Sequence, residues 1–278
     1  GKIKDDYKIT GSIFNFDAKI LKKFNINKVN AKFELFKNNY SFYIVKGNIN
    51  DIDLANSEFE INKENKNLNV KANLVSRANL KNIQSTLDLF QINLLEAKVD
   101  KSEISFDLKS SLSFQLEKYI KIKNLKVNGD GKIHLLNIQH KIDTSKLKEI
   151  FTNYNDSFQI ADSEIKFSLD SNKQDIELKG LINLTNEYEN FQSKIIFDKK
   201  KNNTDFDAKI NINSSIIKLP NLNYKKEAND QASLRFKGNR KKNEGYNFEV
   251  VEFKESNNLI LIKDIEFNEK TQVNNLKE

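Results

Sequence analysis

The chain has 278 residues, 38% hydrophobic and 31% charged, with 20 Phe, 8 Tyr, 8 Gly, 1 Pro and neither Cys nor Met. The aromatic content argues against disorder, and the lack of Cys excludes disulfides, thiolate nucleophiles and Cys-based metal sites; no apolar run approaches the ~18 residues of a membrane-spanning helix. The formal charge of +7, from Lys+Arg 46 against Asp+Glu 39, reads as a diffuse excess on a solvated sheet surface, because most lysines alternate with Asn, Asp and Glu.

The first elements are strands. Phe14, Phe16, Ala18 and Ile20 share one parity, followed by Val29, Ala31, Phe33 and Leu35, and then by Tyr40, Phe42 and Ile44. A period of two puts successive side chains on opposite faces, giving each strand an apolar and a wet side. With so few Gly and Pro, the turns must rely on Asn and Asp, which tolerate left-handed backbone; Asn38-Asn39, Asn128-Gly129, Asn202-Asn203 and Asn257-Asn258 are placed for this. The alternation continues through Leu68, Val70, Ala72 and Leu74, and then Leu80, Ile83, Leu87 and Phe90 at helical spacing predict a short helix.

From Ser102 to Glu117 the alternation is nearly faultless, with Ile104, Phe106, Leu108, Leu112, Phe114 and Leu116 on one parity. Strands are predicted at 121–128 and 131–136. Between Asp143 and Tyr154, the spacing of Leu147, Ile150, Phe151 and Tyr154 predicts one amphipathic helix, capped by Asp143 or Thr144. Strands resume with Ile165, Phe167 and Leu169, with Ile176, Leu178, Ile182 and Leu184, and with residues 193–197. Phe206, Ala208, Ile210 and Ile212 follow, then Leu234 and Phe236, Phe248 and Val250, and finally residues 260–267.

The predicted fold is mainly all-β: a long curled antiparallel sheet forming an open hydrophobic groove, with one or two short helices. It reads as one elongated segment over residues 1–278 with a helical break around 143–154, and the absence of Met predicts that Gly1 is a cut point inside a longer polypeptide. Two short helices cannot cover so many strands. The apolar parity must therefore be dried by closing a barrel, by folding into a two-layer sandwich, or by curling into a trough that something else fills.

Catalytic chemistry finds no foothold. His134 and His140 lack the further ligands a metal needs, and the carboxylate pairs Asp5-Asp6, Asp51 with Asp53, and Glu187 with Glu189 lie on polar parity or in turns, where water solvates them. Gly129-Asp130-Gly131 fails as a phosphate loop because position 134 is His and strand-like residues follow it. The aromatics interleaved with lysine between Phe33 and Tyr43 share the aliphatic parity, which favours a core or lipid-facing role over base stacking. The reading is a protein that is not an enzyme, with no catalytic residue, no metal, no cofactor and no nucleic-acid partner.

Two stretches resemble the AsmA-like superfamily of bacterial envelope proteins, in particular its YhdP-type members. In the first, Ser102 to Leu136, the run Ser-Glu-Ile-Ser-Phe-Asp-Leu-Lys leads to Leu116, Ile120, Leu125-Lys126-Val127 and Gly131-Lys132-Ile133. The second, Ile216 to Phe236, has Ile217-Lys218-Leu219-Pro220, Leu222, Tyr224-Lys225-Lys226 and Ala232-Ser233-Leu234-Arg235-Phe236. It follows a pattern of apolar strand, Leu-Pro, aromatic, basic pair, spacer and new strand, with Tyr224 where the family usually has Trp.

The resemblance implies a periplasmic protein, anchored to the inner membrane through a segment outside this one, whose curled sheet passes phospholipid acyl chains toward the outer membrane. It brings no catalytic residues. The groove lining would be the parity residues of five stretches: Ile104 to Leu116, Ile165 to Leu169, Ile176 to Leu184, Phe206 to Ile212, and Leu234 with Phe236. The main alternative is a structural or adhesive β-solenoid or β-sandwich module with a self-buried core, which solvent-inaccessible packing of Phe106 and Leu178 would favour. An outer-membrane barrel would need aromatic girdles at the strand ends, and Phe14, Phe33, Phe106 and Phe206 lie within their strands instead.

Overall fold

A computed structural model describes residues 7–20, 24–64, 67–81, 102–117, 121–139, 145–155, 157–185, 187–241, 244–268 and 273–276. The first half is built from β1 (Lys8–Ile20), β2 (Phe24–Phe36), β3 (Asn39–Ile49), β4 (Ile52–Asp53), β5 (Ser57–Glu64), β6 (Asn67–Leu80), β7 (Glu103–Glu117) and β8 (Lys121–Gln139). After helix α1 (Ser145–Ile150) come β9 (Ser157–Asp170), β10 (Lys173–Asn183), β11 (Tyr188–Asp198) and β12 (Asn203–Asn211). The short strands β13 (Ile217–Leu219) and β14 (Tyr224–Lys226) precede β15 (Ala232–Lys241), β16 (Gly245–Glu255), β17 (Asn258–Phe267) and β18 (Val273–Leu276).

Sixteen of these strands form one antiparallel sheet, and β13 with β14 form a separate two-stranded hairpin. The order follows the chain almost strand by strand; β3 is flanked by both β4 and β5, which in turn pair β6. This is the all-β sheet that the alternation predicts. The chain exposes 17816 Å² of surface, against roughly 12,000 Å² for a compact protein of its mass. A single broad layer, with little packed over it, accounts for the excess.

The Asn and Asp residues do the backbone work expected of them. Of the fourteen non-glycine residues with positive φ among those described, eight are Asn and three are Asp. Some sit in hairpin turns, such as Asn202, but Asn15, Asn124, Asp162 and Asp264 lie inside strands, beside breaks or gaps in the pairing register. Such bulges swap the parity of the apolar residues and increase local twist. In β1 the residues paired with the apolar positions of β2 change from Ile9 and Ile13 to Phe16 and Ala18, and Phe14 at the bulge is left 76% exposed.

Other local expectations are corrected. Asn128-Gly129 is not a turn, and residues 121–128 and 131–136 are not two strands: both pairs fall within β8, a single strand of 19 residues. Here glycine serves close approach. A Cβ on Gly131 would strike the carbonyl oxygen of Asp107 and lie 2.9 Å from the Cα of Leu108, both on β7. Neither backbone atom can step aside without unzipping the pair. Gly131→Ala is therefore expected to lower the unfolding free energy by about 2–4 kcal/mol, read from urea denaturation. A loss below about 0.5 kcal/mol would mean that the two strands are not paired in this register.

The helix expected between 143 and 154 is present as α1, shorter than the spacing suggests. Leu80 ends β6, so the strand runs into the start of the second helix expectation, and the rest of that stretch lies outside the described residues.

Candidate functional site: one apolar sheet face

The register brings the apolar parities of separate strands onto one side. Phe33, Phe42, Phe59, Ala72, Leu112, Val127 and Leu169 are consecutive cross-strand partners from β2 to β9. Phe167, Ile176, Ile195, Phe206, Gly238, Phe248 and Ile265 make a second row from β9 to β17. Phe206 and Phe248 stack edge to face with centroids 5.3 Å apart, as do Phe248 and Phe267 at 5.7 Å. Glycines open space in this face: the rings of Phe33 and Phe167 lie over Gly11 and Gly129, where a Cβ would collide with them.

The sequence-predicted lining residues fall in two environments. Ile104, Leu108, Leu112, Phe114, Leu116, Ile165, Phe167, Ile176, Leu178, Phe206, Leu234 and Phe236 are half-buried, and Leu169 is buried. Phe106, Ile182, Ile210 and Ile212 are buried in two clusters; Leu178, Leu184, Leu234 and Phe236 pack against the larger, and Ile104 and Leu108 against the smaller. The register accordingly unites strands that are far apart in sequence, while burial is deepest in the two clusters and intermediate over much of the rest of the face.

Two segments cover the larger cluster. Phe151, at the end of α1, bridges to Ile217 of β13, and the Thr152 amide donates to the Ile216 carbonyl at 3.2 Å. Together with Ile217, Leu219 and Tyr224 they sit on Ile160, Ile182, Phe191, Ile210 and Phe253. Tyr224 meets the edge of Phe253 with centroids 5.7 Å apart. Between the strands of the hairpin, Pro220–Leu222 forms a 3₁₀ turn.

A buried polar latch holds this cap. Lys226 has 0% exposure, and its Nζ donates to the carbonyls of Asn213 at 2.9 Å, Ser215 at 2.9 Å and Glu227 at 2.8 Å. Three acceptors match the three donors of an ammonium. Desolvation pushes the Lys226 pKa down, and the charges of Asp230, Glu189 and Glu255 pull it back. Glu189 accepts the Ser214 amide at 2.6 Å and is 7% exposed, so this carboxylate is buried and structural, not solvated as its turn-like setting suggests. Tyr224 donates to Glu255, and burial followed by that bond pushes the Tyr224 pKa up. Sequence periodicity gave no sign of this cluster, because Lys226 lies in a basic pair that looks solvated.

The remaining chemical candidates resolve simply. Exposed His134 lies 3.2 Å from Asp107, and no group of three metal-ligating side chains occurs among the described residues; His140 lies outside them, as do Asp5 and Asp6. The Asp53 carboxylate accepts the Ala55 amide at 2.9 Å. Depressions of about 730 and 580 Å³ open mainly on the polar face, where Glu58, Lys109, Lys166 and Glu177 contribute to the larger one.

Comparison with protein-family models, curated proteins and solved structures gives no match.

Proposed function

We propose that this chain is a non-enzymatic lipid-conduit segment whose apolar sheet face carries phospholipid acyl chains across the cell envelope. The carrying observation is the register: rows of Phe, Ile, Leu and Val continue from strand to strand over most of the sheet, and away from the capped edge most remain half-buried. Each CH₂ laid on such a face contributes ~0.8 kcal/mol, offset by equal losses from the membrane of origin, so movement along it is nearly neutral. The resemblance of residues 102–136 and 216–236 to AsmA-like proteins supports the same reading, including a periplasmic setting and an inner-membrane anchor outside this segment. Because much of this face is half-buried and not enclosed, chains would meet it as an open face.

A self-buried structural module is the second reading. Phe106, at 2% exposure, meets its criterion, and Leu178 packs against the larger cluster but is only half-buried. Photoreactive residues separate the two. A probe at Phe167 or Phe206 is expected to capture phospholipid, and one at Phe106 only protein, with native mass spectrometry of the gently purified chain showing bound phospholipid. Protein-only labelling at Phe167 would sink the conduit reading.

A further inference from the structure

We infer that the polar face of the sheet is a binding site for a linear, uncharged glycan laid across the strands, a reading independent of the lipid path on the opposite face. The depression of about 730 Å³ on that face falls within the roughly 300–1,000 Å³ of small-ligand sites. One register row lines it: Glu58, Asn73, Ser111, Asn128, Ser168 and Asp175 are consecutive partners from β5 to β10. A second row, Lys109, Asp130, Lys166 and Glu177, runs beside it from β7 to β10. Five strand spacings of about 4.8 Å make the first row about 24 Å long.

The hydrogen-bonding capacity of these rows is largely unspent. The side chains of Asn73, Ser111, Lys109 and Asp130 form no hydrogen bond or ion pair with another described residue. Lys109 and Asp130 are register partners of opposite charge and still do not pair, whereas Glu177 and Lys194, one strand further on, close to 2.6 Å. Donors and acceptors are thus presented together, a mixture that sugar hydroxyls, each both donor and acceptor, can satisfy. Tyr43, 38% exposed, is the register partner of Glu58 on β3, and its hydroxyl donates to Asn56 Oδ1 at 2.9 Å. That bond fixes the ring at the end of the row, where it offers a stacking surface to the C–H face of a pyranose. Two other polymers fit worse. Four carboxylates against two ammonium groups line the depression, a balance that repels a polyanion. An extended peptide repeats every ~3.4 Å and runs out of step with the strands, whereas a pyranose unit is close to one strand spacing in length.

The test is calorimetric titration of the full chain with chitohexaose, cellohexaose and chitobiose at millimolar concentration. At least one hexaose is expected to bind about tenfold or more tighter than chitobiose, because only the longer chain engages the whole row. Affinity should be unchanged in 0.5 M NaCl, since the ligand carries no charge to screen. Tyr43→Ala should weaken the hexaose about tenfold and Tyr43→Phe much less, and Asn73→Ala combined with Ser111→Ala should again cost about tenfold. Leu178→Asp, on the acyl face, should leave glycan binding intact whatever it does to phospholipid. No binding of either hexaose, or equal binding of hexaose and biose, overturns the site and leaves the conduit standing. Binding lost in salt would mark adsorption through charge, and binding lost in Leu178→Asp would place the sugar on the apolar face; either overturns the proposal.

Discussion

Lys226→Met is expected to lower the unfolding free energy by about 3–5 kcal/mol, measured by urea denaturation of the purified chain. Methionine fills a similar volume but has no N–H, so the carbonyls of Asn213, Ser215 and Glu227 lose their shared donor in a site with no exposed surface at Lys226. Glu189 and Glu255 lose a neighbouring cation at the same time. The damage should begin in the cap: limited proteolysis is expected to cut between Asn213 and Ala232 before the sheet opens. A variant within about 1 kcal/mol of the parent would show that the cap is not held by this latch.

Leu178→Asp is expected to reduce phospholipid capture at least tenfold, whereas Lys179→Asp, one residue further along β10, should leave it unchanged. Leu178 partners Ile165 and Ser193 on the apolar face, and Lys179 is exposed on the other. A carboxylate on the acyl path must be dehydrated or must hold the chains away, and either penalty exceeds the ~1.4 kcal/mol that equals a factor of ten. The contrast between adjacent residues separates a face-specific effect from a general effect of added negative charge. Equal losses in both variants, or in neither, would contradict a conduit on this face.

The fold was largely legible because a half-buried strand writes its period directly into sequence. The run from Ile104 to Leu116 keeps its face throughout β7, and Ile165, Phe167 and Leu169 do the same in β9. Misreadings arose where one residue type serves two ends. Glycine at 129 and 131 admits a neighbouring ring or backbone, which locally looks like a turn. Asn15 and Asp162 adopt left-handed backbone inside strands, using the tolerance that elsewhere makes a hairpin turn. Lys226 and Glu189 read as surface residues because nothing nearby in sequence reveals the carbonyls and amide that surround them.

The sequence by itself determined which side chains share a face within each strand, since alternation is a property of the local backbone. It also determined that Asn and Asp would carry the reversals, because so few glycines and prolines are present. Tertiary structure alone decided which strands meet, where α1 and the β13–β14 hairpin settle, and thus which part of the apolar face stays open. It also decided that Lys226 and Glu189 are buried, because folding gathers around them carbonyls and an amide that come from other parts of the chain.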